Sequence, residues 1–193
     1  MTAIGRAFIA VVPPTEVLDA LEAHLAPFKE ASGLRWMRRD QLHFTLQFLG
    51  RVQDDESLAD ALERAVAPHA PFMARLAGAG AFPSPRRARA VWVGVAQGAD
   101  ELGALARAVH VATEELGHDR EARAFTPHMT VARSSRPSAV GAVVDSIDVD
   151  RIDPDWQVNE VVLFESDTRP DGAVHSERRR LALHGAAAPK SDR

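Results

Sequence analysis

The chain contains no cysteine. Disulfides, thiolate metal sites and cysteine nucleophiles are excluded together, and the absence suits a reducing cytoplasm, the expected location. No stretch approaches the roughly 18 consecutive apolar residues of a membrane span. The apolar run from Ala7 to Val12 is short, stops at Pro13-Pro14 and lacks a basic leader, so it reads as a first strand rather than a signal peptide. An excess of basic charge is missing too: the net charge is −4 and the pI about 6.1. Proteins that coat long nucleic acids draw most of their affinity from phosphate contacts and are usually basic. Any nucleic-acid contact here is expected to be local, at an end or a single phosphate.

What is present is ordinary for a globular protein: 193 residues, 46% hydrophobic and 26% charged, enough for a sizeable core without covalent staples. The pattern predicts a strand over Ala7–Val12, then a helix capped by Thr15 with Val17, Leu18, Leu21, Leu25 and Phe28 inward. A strand follows over Leu42–Leu49, then a helix capped by Asp54 or Asp55 with Leu58, Ala61, Leu62, Ala65 and Val66 inward. Strands are predicted near Phe72–Leu76 and Val91–Val95, and a helix over Asp100–Gly117 with Leu102, Leu105, Val109 and Leu116 on its apolar side. Strands over His128–Ala132, Val158–Glu165 and Val174–Leu183 close the chain. Without a regular βαβ alternation the fold class is α+β with antiparallel sheet. Residues 1–185 are expected to form one domain, and residues 186–193 have the composition of a disordered tail. A helix followed by a strand bearing His-x-Thr occurs once in each half of the chain, a faint internal echo.

Two tetrads carry the chemistry: His43-Phe44-Thr45-Leu46 and His128-Met129-Thr130-Val131. Eight histidines and seven threonines in this length predict about 0.3 His-x-Thr triplets by chance; two occur, 85 residues apart. A lone histidine on a half-buried strand is usually structural; a matched pair in matched apolar settings is not. On a strand, residues i and i+2 share a face. His43 and Thr45 are therefore expected together, with Gln47 continuing their face while Phe44, Leu46 and Phe48 fill a core. His128 and Thr130 share a face in the same way. Imidazole titrates near neutrality, so one ring can accept a proton while the other donates. Threonine hydroxyls can hold non-bridging phosphate oxygens. Neither motif has the spacing or carboxylate company of a metal site, so no metal or cofactor is expected.

The tetrads resemble the paired motifs of the 2H phosphoesterases, and most closely the RNA 2′,3′-cyclic phosphodiesterases, also called 2′-5′ RNA ligases. The likeness includes Arg6-Ala7-Phe8-Ile9-Ala10, Arg35-Trp36, Gln41 to Gly50, Phe82 to Arg87, Val91 to Val95, Phe125 to Arg133 and Glu165-Ser166. It implies a bilobal fold, two similar lobes with antiparallel sheets and flanking helices around a central cleft. It also implies His43 as proton donor and His128 as proton acceptor, with water opening the ring to a 2′-phosphomonoester. Ligation through a 2′-5′ linkage would have an RNA 5′-hydroxyl replace water. The family often has a tyrosine in the final hairpin; this chain has His175, and no tyrosine anywhere.

Arg133 resembles the family's arginine after the second tetrad and is a candidate phosphate ligand. Strict alternation puts it on the face away from His128, so that role requires a strand end or a bulge; the alternative is a surface ion pair. Arg35, Arg38, Arg39, Arg86, Arg87 and Arg89 are candidates for the cleft mouth, with solvated surface the commoner fate of such runs. Trp36 and Phe125 can stack a base or pack in the core. Arg178-Arg179-Arg180 reads as exposed strand. The expected substrate is RNA with a 2′,3′-cyclic phosphate end, or a smaller one: a cyclic nucleotide, an ADP-ribose cyclic phosphate or a 2′-5′ oligoadenylate. A noncatalytic module binding RNA ends is the rival from another class. A monomer without membrane partners is the default.

Overall fold

The structure is a computed structural model that describes residues 4–30, 33–52, 55–118, 124–169 and 172–185. The tail at 186–193 and the candidate cap Asp54 lie outside these residues. The elements run β1 (Ile4–Val11), α1 (Thr15–Leu25), β2 (Arg35–Trp36), β3 (Phe44–Val52), α2 (Asp55–Val66), β4 (Phe72–Phe82), β5 (Ala88–Gln97) and α3 (Ala99–Glu114). They continue with β6 (Met129–Ser138), α4 (Gly141–Ile147), β7 (Ile152–Val158), β8 (Glu160–Arg169) and β9 (Gly172–Ala182). All strand pairings are antiparallel, so the α+β class stands.

The strands follow the order β7-β4-β5-β6-β3-β1-β8-β9, with β2 added to β6. Two four-stranded halves meet at the centre, where β3 and β6 touch through one register pair, Phe44↔Met129. Helices α2 and α3 pack on the half containing β9 and β3, whereas α1 and α4 pack on β7 and β4 of the other. The internal echo is thereby visible: α1 leads into β3 and α3 into β6, and each packs on the half opposite to the strand it leads into. Such a crossing ties the halves together through the core. Phe44 and Met129, both fully buried, are the middle residues of the two His-x-Thr triplets.

Local chemistry explains where elements begin and end. The apolar positions Val17, Leu18, Leu21 and Leu25 of α1 are all buried. Its cap is Pro14 rather than Thr15: the proline carbonyl accepts from the Val17 and Leu18 amides, each at 3.1 Å. Helix α3 buries Leu102, Leu105 and Val109 but stops at Glu114, leaving Leu116 42% exposed instead of inward. The chain turns away at Gly117, whose φ of 83° suits glycine alone. Neither α4 nor β7 stands out in the sequence. Helix α4 has only seven residues, and β7 carries Pro154 between Asp153 and Asp155. Proline is tolerated in β7 because that strand lies at the sheet edge.

Candidate active site

His43 and His128 immediately precede β3 and β6. With Phe44 and Met129 paired and buried, their flanking residues point the other way. An antiparallel pairing centred there sets Thr45 toward His128 and Thr130 toward His43. The sheet bends around these four side chains to leave a cleft of about 750 Å³. All four line it, with Arg133, Arg35, Arg6 and His175. Among the described residues no carboxylate does. Both threonines are half-buried, and among the described residues neither hydroxyl has a protein partner.

Each tetrad ends in a bulge. On β3, Ile9↔Gln47 is followed by Ala10↔Thr45, so Leu46 has no opposite number. On β6, Val91↔Ala132 is followed by Trp92↔Thr130, which leaves out Val131. An extra residue reverses the alternation beyond it. Gln47 consequently is buried, 3% exposed, with its amide toward α3, while still bordering the cleft. Phe48, expected in the core, is 64% exposed and lines the cleft. The equivalent shift on β6 brings Arg133 round to the side of His128 and Thr130, the bulge that the expected phosphate contact calls for. Helix α3 holds the first bulge from behind: His110 Nε2 donates to the Leu46 carbonyl at 3.2 Å, and the Thr113 hydroxyl meets the Gln47 amide at 2.7 Å.

His43 sits in an aromatic box. Its ring stacks on Phe8 at 4.8 Å and lies 6.1 Å from Phe164, while His175 meets it edge-on at 5.5 Å. Burial, then the neighbouring His175 and Arg133, push its pKa down to about 3. In the free protein at neutral pH the ring is therefore neutral. His175 is also lowered, chiefly by burial and further by Arg38, against the opposing pull of Asp40.

His128 is held differently. Its Nδ1 lies 2.7 Å from the Thr126 carbonyl. A carbonyl only accepts, so Nδ1 carries the hydrogen, and in the neutral ring Nε2 keeps its lone pair. Phe82 meets the ring edge-on at 4.9 Å and Trp92 lies at 6.3 Å. Trp92 in turn lies flat over Gly80, where an added Cβ would approach its ring to 2.2 Å. Gly80→Ala is expected to displace Trp92 and lower both thermal stability and turnover, checked by melting and by activity of the folded fraction. An unchanged melting temperature would show that the ring moves freely.

The arginine candidates divide. Arg35 and Arg133 line the cleft. Arg38 forms a two-pronged pair with Asp40 at 3.1 and 3.0 Å, and Arg39 is bound to Asp19 and Glu22 of α1. Arg86, Arg87 and Arg89 are exposed and outside the cleft, as are Arg178, Arg179 and Arg180 on β9. Trp36 is partly buried against the core; Phe125 packs there too but also lines the cleft. Sequence reasoning missed Arg6 as a site residue; its place two residues before Phe8 on one strand was the available signal.

Comparison with known proteins agrees with this geometry. Residues 17–170 match the model of the 2′-5′ RNA ligase superfamily. An RNA 2′,3′-cyclic phosphodiesterase from Archaeoglobus fulgidus is 31% identical over 176 residues, covering 90% of this chain and 98% of that one. Its namesake from Thermus thermophilus is 33% identical over 190 residues, covering 93% and 91%. A crystal structure of a Thermus thermophilus protein superposes with a TM-score of 0.77 at 28% identity, covering 94% of this chain and 100% of that one. E. coli LigT complexed with 3′-AMP gives 0.75 at 26%, covering 93% and 98%. Paired histidine–threonine motifs facing one cleft, on a fold and a sequence shared along most of the chain, place this protein in the 2′-5′ RNA ligase superfamily.

Proposed function

We propose that the protein is an RNA 2′,3′-cyclic phosphodiesterase that opens the terminal ring to a 2′-phosphomonoester. The observation that carries this reading is the convergence of two histidines and two threonine hydroxyls on one cleft; among the described residues those hydroxyls have no partner and no carboxylate lines the cleft. The relatives' name and the ligands of E. coli LigT, crystallised with 3′-AMP, NADP+ and ATP, support a nucleotide phosphate as the occupant.

In the proposed reaction His128 Nε2 takes a proton from water as its oxygen attacks phosphorus. The bond from phosphorus to the 3′-oxygen breaks, and His43 gives that oxygen its proton. Thr45 and Thr130 hold the non-bridging oxygens, and Arg133 offsets their growing charge. His43 must gain a proton before it can donate one. A bound phosphate supplies the means, since it neutralises Arg133 and accepts from the ring, reversing part of what holds the pKa down. Proton exchange with solvent resets both rings. With an RNA 5′-hydroxyl in place of water, the same steps in the same direction describe 2′-5′ ligation, and their reverse is cleavage of that linkage.

The test is hydrolysis of an oligonucleotide ending in 2′,3′-cyclic phosphate, in excess EDTA, with a 2′-phosphate as the expected product. Binding without turnover would favour the smaller cyclic phosphates or a noncatalytic module. The neutral state of His43 favours a second reading, in which the two histidines exchange roles. An aryl phosphodiester separates them, because a phenolate leaves without a proton. If His43 is the acid, His43→Ala retains far more activity on that substrate than His128→Ala; the opposite pattern exchanges the roles.

A further inference from the structure

Arg35 and Arg133 occupy directly opposed positions on β2 and β6. The next pair along, Trp36 and Ala132, packs toward the core, so both arginines face the cleft, which they line. Like charges opposed on a sheet repel. Other arginines have acidic partners: Arg38 with Asp40, Arg39 with Asp19 and Glu22, Arg75 with Asp155. Among the described residues neither Arg35 nor Arg133 has a hydrogen-bonded or ionic partner, and neither has Arg6, which faces the cleft from β1. Three unneutralised guanidiniums in one cleft of a protein with net charge −4 are more than one cyclic phosphodiester monoanion requires.

Arg35 extends to the start of β9. Its Nη1, the Nη1 of Arg38 and the Nε2 of Gln41 converge on Gly172 at the start of β9, where an added Cβ would lie 3.5, 3.6 and 3.8 Å from them. In that corner Arg38 and Gln41 are already engaged: both donate to the Ala173 carbonyl, at 3.2 and 2.8 Å. Arg35 keeps its donors. The cationic lining therefore extends from Arg133 on β6 to the start of β9.

We infer that Arg35 forms a second phosphate subsite beside the catalytic one, taking the phosphate on the 5′-oxygen of the terminal nucleoside. The inference deepens the proposed reaction and rests on it for the identity of the ligand. Such a phosphate has two sources, the internucleotide diester of an RNA chain and the 5′-monoester of a free nucleotide. A charge-assisted contact of this kind is worth about tenfold in affinity or somewhat more.

The test is calorimetric binding of adenosine 2′-phosphate, adenosine 2′,5′-bisphosphate and the dinucleotide ApA bearing a 2′-phosphate. The proteins are wild type, Arg35→Ala and Arg35→Lys. Wild type is expected to bind at least one two-phosphate ligand about tenfold more tightly than the monophosphate, with a salt dependence steeper by about one ion. Preference for the dinucleotide alone identifies the RNA diester as the source; preference for both ligands admits either. In Arg35→Ala the ratio falls to near one. Arg35→Lys keeps part of it, because the charge remains while the planar fork is lost. A wild-type ratio near one, or equal weakening of all three ligands by Arg35→Ala, overturns the inference. Binding is read rather than turnover, so absent hydrolysis removes the proposed reaction without removing the subsite.

Discussion

Alanine at either His43 or His128 is expected to lower kcat for cyclic-phosphate hydrolysis by about 10²–10⁴-fold, the range for loss of a positioned acid or base. The double variant should fall little below the worse single one, since both groups serve the same transition state. Binding of the 2′-phosphate product should weaken far less, because Thr45, Thr130 and Arg133 still line the cleft. Steady-state rates with calorimetry on the same preparations check this. A loss below tenfold in either single variant, in folded protein, would exclude that histidine from proton transfer. The two are held differently. His128 is oriented by the Thr126 carbonyl with its far nitrogen open, whereas His43 is boxed by rings and neutral until a ligand arrives.

Phe8→Ala is expected to be the most damaging single change at the site that touches no reacting atom. Phe8 is 2% exposed and contacts His43, Phe48, Phe164 and His175. Truncating a buried phenylalanine costs about 3–5 kcal/mol, measurable by urea unfolding. It also lets water reach His43 and raises that ring's pKa. His43 binds a proton below about 6.5 in the unfolded chain but only near about 3 in the folded one. Between those values the unfolded state holds more protons. The contribution of His43 is therefore intact above about pH 6.5 and is lost as pH falls toward 3, by up to a few kcal/mol. His43→Asn should flatten that part of the stability curve, and Phe8→Ala should flatten it partly. A wild-type imidazole that titrates near 6.5 by NMR would remove the basis for this prediction.

The sequence made much of the site legible because strand alternation is a local rule. His43 with Thr45 and His128 with Thr130 share faces wherever their strands lie. Alternation failed where each strand takes in an extra residue, at Leu46 and Val131. Those bulges bury Gln47, expose Phe48 and turn Arg133 into the cleft. A bulge is set by the partner strand and, on β3, by the groups of α3 that hold the Leu46 carbonyl and the Gln47 amide. Edge strand β7 and short α4 were hidden for a similar reason: their place rests on what they pack against.

By itself the sequence determined the absence of thiol chemistry, the α+β class, most helix and strand positions and the four side chains of the paired motifs. These follow from composition and from periodicity along the chain. Tertiary structure alone decided that Phe44 and Met129 meet, so that the motifs face one cleft, and that His43 is desolvated while His128 is tied to a carbonyl. It also decided which arginines are paired with carboxylates and which line the cleft. Each of those outcomes depends on distances between residues far apart in the chain, and side-chain periodicity carries no information about them.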